Sequence, residues 1–118
     1  MARRPKSDGT RAPLKVTWFH ILLALADEAQ HGYAIRQSVH ERTDGAVKLY
    51  PATLYGSIRE LSERGLIEAL EGDADPDEDQ RRRYYELTPA GQEVLRAEIT
   101  RLQGLIDQAL ATRALGGT

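Results

Sequence analysis

Residues 51–67, PATLYGSIRELSERGLI, encode both ends of a helix, which leaves few arrangements for the segments on either side. Pro51 suits the first helical position, where its missing N–H costs nothing, and Gly65 is typical of a helix end. Apolar residues recur at spacings of four and three, which predicts one inward-facing stripe: Leu54, Ile58 and Leu61. The outward face is mostly small or charged: Thr53, Gly56, Ser57, Arg59 and Glu60, with Tyr55 at its border.

Two further helical segments precede this one. The first is predicted from Lys15 or Thr17 to Ala29, and apolar side chains surround most of it. A helix of this kind must be covered on most sides. One small domain is not expected to do this alone, so we expect a partner subunit. The second segment is predicted from about His31 to Thr43, because Asp-Gly at 44–45 is a stop signal.

Two strand-like runs follow, LIEALE and RRRYYEL, with nine residues between them, Gly72 to Gln80. This spacing predicts a β-hairpin with a long tip. The tip is acidic and leads directly into three arginines: Arg81, Arg82 and Arg83. Because this acidic cluster carries more negative charge than the net charge of the whole chain, which is −2, the rest of the chain is net positive. Binding to a polyanion depends on such local fields rather than on the total charge.

The last helix is predicted to begin at Pro89, with Thr88 as its N-cap. Apolar residues then recur at spacings close to four and three, as in a heptad seam: Leu95, Ile99, Leu102 and Ile106. Such a seam packs either onto a second copy or onto the chain's own core. Its length favours dimerisation.

The order of these elements is typical of a winged helix-turn-helix, in which the third helix contacts DNA and the hairpin is the wing. The predicted fold is mainly α with a two-stranded β-wing and a long C-terminal dimerisation helix. We interpret residues 1–13 as a flexible basic arm, residues 14–88 as the winged helix-turn-helix DNA-binding domain and residues 89–115 as the dimerisation helix.

Missing residue types argue against several other functions. The chain has no cysteine, which removes disulfides and thiolate chemistry and fits a cytoplasmic protein. The three histidines are too scattered for a metal site, and the acidic tip lacks the Gly and Glu that a calcium loop needs. No nucleophile elbow or phosphate loop is present. We therefore expect no enzyme, no cofactor and no metal, and no apolar run reaches the about 18 residues of a membrane span.

Three segments resemble the PadR family of transcriptional regulators. They are HGYAI at 31–35, TLYGSIRELSERGLI at 53–67 and RRRYYELTPAGQEVL at 81–95, in the family's order and at consistent spacing. The resemblance covers roughly residues 16–110. Two departures are Ala52, where the family often has Gly, and Gly56, where it often has a larger residue. The resemblance, which is to the short subfamily, implies a homodimeric, ligand-responsive repressor that dimerises through its first and last helices.

The predicted partners are double-stranded DNA, a second copy of the chain and a small aromatic or apolar effector. The predicted DNA contacts are Tyr33, Tyr50, Thr53, Tyr55, Gly56, Ser57, Arg59, Arg81, Arg82 and Arg83. The predicted dimer interface consists of Trp18, Ile21, Leu22 and Leu25 together with the heptad seam. Trp18 and Leu22 are also the candidate lining of an effector pocket.

The residues leave several alternatives open. Arg59 either reaches DNA or pairs with Glu63, and Tyr55 either reaches a phosphate or packs in the core. Trp18 is either plain dimer core or the wall of a pocket. Gly56 indicates either close approach to DNA or relaxed packing. For the whole chain, the alternative to DNA binding is a winged-helix module whose acidic loop docks a basic protein partner.

Overall fold

The computed structural model describes residues 13–70 and 83–116. Within these ranges lie four helices and three short strands: α1 Val16–Asp27, β1 Gln30–His31, α2 Gly32–Arg42, α3 Pro51–Glu63, β2 Ile67–Ala69, β3 Tyr84–Leu87 and α4 Pro89–Leu110. Apart from Pro13, the predicted basic arm lies outside the described residues, as do the acidic tip, Arg81 and Arg82. No candidate membrane-spanning helix occurs among residues 13–70 and 83–116.

The ends of α3 and α4 lie at the residues predicted for them. After α3, Gly65 has a φ of +75°, and the N–H of Leu66 donates to the carbonyl of Leu61 at 3.0 Å. This is the bond of a Schellman helix end, which favours glycine because of its positive φ. At the start of α4, the hydroxyl of Thr88 accepts a hydrogen bond from the N–H of Gly91 at 3.0 Å. Local sequence therefore sets both boundaries.

The sheet has three strands rather than the predicted two. Its order is β1-β3-β2, and both pairs are antiparallel, with Gln30 opposite Tyr85 and Ile67 opposite Leu87. The pairing of β2 with β3 is the predicted wing. The prediction missed β1 because a strand of two residues has no periodicity, and it exists only through its pairing with β3. Strand β3 is therefore hydrogen-bonded on both sides.

The core is built around the inner face of α1. Ile21 and Leu22 are completely buried, and Trp18 is 2% exposed. This face packs against α2, α3, α4 and β3 of the same chain. The prediction that these side chains meet a partner subunit is thus corrected for five residues that fill the chain's own core: Trp18, Ile21, Leu22, Leu25 and Leu95. Periodicity showed that they are buried, but not which chain buries them.

Another set of apolar side chains remains uncovered. Along the second half of α4, Ile99, Ile106 and Leu110 are 45%, 50% and 58% exposed, and Leu102 is partly exposed. On the outer face of α1, Val16 is 65% exposed, next to the partly buried Phe19. The described part of this chain leaves these side chains in contact with solvent.

The start of α4 is tied to the turn after α3. The hydroxyl of Thr88 donates a hydrogen bond to the carbonyl of Gly65 at 2.6 Å, and the N–H of Thr88 donates one to the carbonyl of Leu66 at 3.1 Å. Gly91 packs so closely here that a Cβ would overlap the Leu66 carbonyl oxygen. The orientation of α4 is therefore fixed relative to the C-terminal end of α3.

Candidate nucleic-acid interface

Helix α3 is held on one side and open on the other. Its inner stripe, Leu54, Ile58 and Leu61, is 1%, 2% and 0% exposed. On the opposite side, Thr53 and Arg59 are exposed. A helix of 13 residues is about 20 Å long, and its diameter of about 10–12 Å matches the about 12 Å width of the DNA major groove. The packed inner face makes the outer face a rigid surface.

Gly56 leaves the backbone of this outer face uncovered. A Cβ placed on Gly56 would meet no atom within 4 Å, and its φ is not positive. Neither packing inside the chain nor backbone conformation therefore requires a glycine here. Close approach of another molecule to the helix backbone is a physical reason for a residue that costs a helix about 1 kcal/mol relative to Ala.

Arg59 does not form the ion pair considered as its alternative. Among the residues that the structure describes, neither Arg59 nor Glu63 takes part in an ion pair. The guanidinium of Arg59 is therefore available to an external ligand.

The structure places two of the predicted contacts differently. Ser57 is only 8% exposed, which corrects its assignment to the outward face. It lies three residues from Leu54 and four from Leu61, so it borders the buried stripe. Tyr55 is half-buried, and its ring lies against Gly32, where a Cβ would come within 2.7 Å of both Cε1 and the hydroxyl oxygen. The Tyr55 ring therefore packs on α2, and close contact explains the glycine of HGYAI.

Two tyrosines flank the N-terminal ends of α2 and α3. Tyr33 is 51% exposed and Tyr50 is 62% exposed, so both hydroxyls are accessible. The N-terminus of α2 is partly capped from within, because Nδ1 of His31 accepts a hydrogen bond from the N–H of Ala34 at 3.2 Å. At the N-terminal end of α2, the phenol hydroxyl of Tyr33 is therefore a better candidate than the helix N–H groups for a hydrogen bond to DNA.

Arg83, which was predicted to contact DNA, is less exposed than such a contact requires. Arg83 directly precedes β3, and if the alternation of side chains extends back by one residue it lies on the same side as Tyr85, which is 4% exposed. Arg83 is half-buried, and its Nε is buried without a hydrogen-bond partner among the described residues. Burial raises the pKa of Tyr85, and the charge of Arg83 opposes this shift. Arg83 therefore faces the core side of the strand.

The pocket predicted at Trp18 and Leu22 is filled by the core. The Trp18 ring is flanked by Nζ of Lys15 and Cζ of Arg64, each 4.8 Å from its centroid. An open cleft of about 410 Å³ lies elsewhere, between α1, β3 and α4, and neither predicted residue lines it. Its lining combines apolar with polar side chains: Leu25, Leu87, Leu95 and Ile99 with Glu28, Glu86, Gln92 and Arg96, among others. The prediction that Trp18 and Leu22 line an effector pocket is therefore corrected.

One charged feature was not predicted. Arg36, Gln37 and His40 of α2 line a cleft together with Lys48 and Leu49 of the loop before α3. The spacing of the α2 residues places them on one face, but the contribution of the loop depends on the fold. No group of three histidine or acidic side chains suited to a metal ion occurs within residues 13–70 and 83–116.

Residues 21–97 match the model of the PadR-like family of transcriptional regulators. The chain belongs to the PadR-like family. The members of this family are transcriptional regulators and not enzymes. The helices, the wing and the long C-terminal helix described above are therefore those of a PadR-like regulator.

The chain is also similar to individual proteins. The chain is 39% identical over 89 residues to a 37.1 kDa protein in transposon Tn4556 of Streptomyces fradiae, covering 73% of this chain and about a quarter, 24%, of that protein. A transcriptional regulator from Clostridium thermocellum is 26% identical, with a TM-score of 0.62, covering 81% of this chain and 90% of that one. A PadR family regulator from Clostridium difficile, 23% identical, shares the fold with a TM-score of 0.64, over 81% and 95% of the two chains.

Proposed function

We propose that this PadR-like regulator binds duplex DNA as a homodimer and represses transcription from a palindromic operator. The observation that carries the proposal is the construction of α3. Three fully packed side chains hold its inner face, while Thr53, Gly56 and Arg59 leave its outer face open. The major groove displays a distinct donor and acceptor pattern for each base pair, and a helix fits into it.

Within this proposal the side chains divide into base contacts and phosphate contacts. Arg59 is long enough to reach a guanine edge, a bidentate contact that discriminates against a wrong base by about 1–3 kcal/mol. The absent side chain of Gly56 and the short side chain of Thr53 let the helix backbone come close. The exposed hydroxyls of Tyr33 and Tyr50 suit phosphate oxygens, which fix the register of the protein on the duplex.

The proposed dimer interface differs from the predicted one, because the core residues are already covered. It combines the exposed side chains of the second half of α4, Ile99, Leu102, Ile106 and Leu110, with the outer face of α1 around Val16 and Phe19. Uncovered apolar surface of this kind is typical of an interaction site. A two-fold dimer would present two α3 helices to half-sites about 34–36 Å apart.

The cleft between α1, β3 and α4 supports the effector part of the proposal. Its buried lining residues Leu25 and Leu95 are apolar, and the exposed Glu28 and Arg96 also line it, which suits a small molecule with an apolar body and a polar group. The cleft adjoins α4, whose start is bonded to the turn after α3. Because α4 and α3 are tied together in this way, an effector that prefers one arrangement of the two protomers would change the spacing of their α3 helices and shift the population of DNA-binding dimers.

Fluorescence anisotropy with labelled duplexes, enriched from genomic fragments, tests DNA binding directly. We expect affinity to fall steeply as salt rises, and Arg59→Gln to weaken binding to the enriched sequence. Arg113→Gln, the same charge change beyond the end of α4, is the matched control and should have little effect. Absence of salt-sensitive binding to any duplex, together with capture of a stable protein partner, would support the interaction-module alternative instead.

A further inference from the structure

The cleft between α2 and the loop before α3, called here the basic cleft, is lined by Arg36, Gln37, His40, Lys48 and Leu49. Its volume is about 360 Å³, within the range of small-ligand sites. Three of its five lining residues carry nitrogen groups that bind anions, and none is acidic. The chemistry of the lining therefore favours an oxyanion.

Arg36 is held in position by the loop that forms the other wall of the basic cleft. Its Nε donates a hydrogen bond to the carbonyl of Leu49 at 2.8 Å. This bond uses one edge of the planar guanidinium. Its two terminal nitrogens have no other partner among the described residues. A guanidinium fixed in this way loses little entropy when it binds an oxyanion through two hydrogen bonds.

The turn after α2 places His40. The N–H of Gly45 donates to the carbonyl of His40 at 2.8 Å, and Gly45 has a φ of +80°. A Cβ at Gly45 would lie 3.4 Å from Nε2 of His40, so the imidazole lies directly over this turn. The Asp44–Gly45 turn, which the sequence marks only as a helix stop, therefore also positions a side chain of the basic cleft.

The charge of the basic cleft is not balanced by the acidic residues nearby. Glu41 and Asp44 are neighbours in sequence, but neither lines the cleft. Arg42 shows the contrast, since its guanidinium pairs with the carboxylate of Asp27 at 3.0 Å. Among the described residues, Arg36 and Lys48 are in no ion pair.

The position of the basic cleft relative to α3 suggests which anion it binds. Lys48 precedes Pro51, the first residue of α3, by three positions, so their Cα atoms are at most about 11 Å apart. The major groove is about 12 Å wide, and phosphates line both of its edges. If the N-terminal end of α3 enters the groove, a flanking phosphate comes within reach of Lys48 and Arg36.

We propose that the basic cleft binds a phosphodiester group of the operator backbone, beside the groove that α3 enters. The inference rests on the proposed DNA binding and adds to it a contact site outside the recognition helix. Its role is positioning, because phosphate contacts fix register without reading sequence. Arg36 supplies the oriented donors, while Lys48 and His40 complete the site.

The experiment measures the salt dependence of binding to the enriched duplex for wild type, Lys48→Gln, Lys48→Arg and Arg42→Gln. Lys48 is exposed. Arg42, the last residue of α2, lies outside the cleft and pairs with Asp27 of α1, so Arg42→Gln is a matched loss of one positive charge. Because a dimer carries two copies of the cleft, Lys48→Gln removes two phosphate contacts, which should make the slope of log K against log salt shallower by about 1.8 and weaken binding about 60-fold at about 0.1 M salt. Lys48→Arg should restore binding, and Arg42→Gln should change the slope little.

Three further outcomes separate the basic cleft inference from the proposed function. If Arg59→Gln weakens DNA binding while Lys48→Gln leaves both slope and affinity unchanged, the basic cleft inference fails and the proposed function stands. If no variant, including wild type, binds duplex DNA, the proposed function itself fails. Titration of wild type with inorganic phosphate, followed by NMR, tests a free anion as the ligand. Saturation of Arg36 and His40 signals by phosphate, with unchanged DNA binding of Lys48→Gln, would overturn the inference in favour of a small-anion site.

Discussion

Replacing Gly56 with Ala should stabilise the protein and weaken DNA binding at the same time. Gly56 lies inside α3, which spans Pro51–Glu63, and its added methyl group would meet no atom within 4 Å. Alanine is favoured over glycine inside a helix by about 0.5–1 kcal/mol. In a chain of 118 residues the unfolding entropy is about 0.25 kcal/mol/K, so this gain raises the Tm by about 2–4 °C.

The same methyl group would stand between α3 and the DNA. A closely packed surface accommodates an extra methyl only by shifting, at a cost of about 1–3 kcal/mol. At each half-site that cost corresponds to about a five- to 150-fold increase in Kd for the enriched duplex. Thermal unfolding followed by circular dichroism measures the first effect, and fluorescence anisotropy at fixed salt measures the second.

A matched control separates the two effects. Gly104 lies inside α4 and, like Gly56, has no atom within 4 Å of an added Cβ. Gly104→Ala should raise the Tm by a similar amount and leave Kd unchanged. A Gly56→Ala protein with a raised Tm and an unchanged Kd would show that DNA does not approach the α3 backbone at this position. A lowered Tm would show that the space beside Gly56 is occupied.

Three other substitutions test the packing. Ile106→Lys places a charge on the uncovered face of α4 and should shift the protein from dimer to monomer in sedimentation equilibrium. An unchanged mass would show that α4 is not part of the interface. Glu98 is 3% exposed and accepts two hydrogen bonds from Arg101, at 2.8 and 2.7 Å, which lower its pKa despite burial. Because its pKa is lowered in the folded state, Glu98 contributes stability that is fully present above the ordinary value of 4.5 and is lost as the pH falls through the folded value. Glu98→Gln should therefore lower the free energy of unfolding in urea by about 1–3 kcal/mol at pH 7, and by less below pH 4.5. Gly91→Ala should destabilise by about 1–3 kcal/mol in the same assay, because its Cβ would overlap the Leu66 carbonyl, and equal stability would contradict that contact.

The sequence predicts helix ends well because the signals are local. Pro51, Gly65 and Thr88 each act through their own backbone conformation or a hydrogen bond to a residue a few positions away. The antiparallel wing was predicted for a similar reason, since alternating strands on either side of a tip pair with each other. Strand β1 was not predicted, because its two residues are extended only through their contact with β3.

Local pattern predicts burial but not the identity of what covers a residue. Trp18 and Leu22 were expected at an interface between subunits, and both lie in the core of one chain. Ser57 was expected on an exposed face, although its small side chain fits at the edge of the buried stripe. The basic cleft combines α2 with a loop that follows it, so only the fold brings Arg36 and Lys48 together.

Selection of bound fragments from a genomic DNA pool, carried out in parallel with wild type and Arg59→Gln, tests the central claim most directly. If α3 reads bases as part of a two-fold dimer, wild type enriches an inverted repeat with half-site centres about one helical turn apart. Arg59→Gln then enriches a repeat that has lost its base preference at one position in each half. Enrichment of no sequence by wild type, or an identical repeat from both proteins, would contradict base recognition by Arg59 on α3.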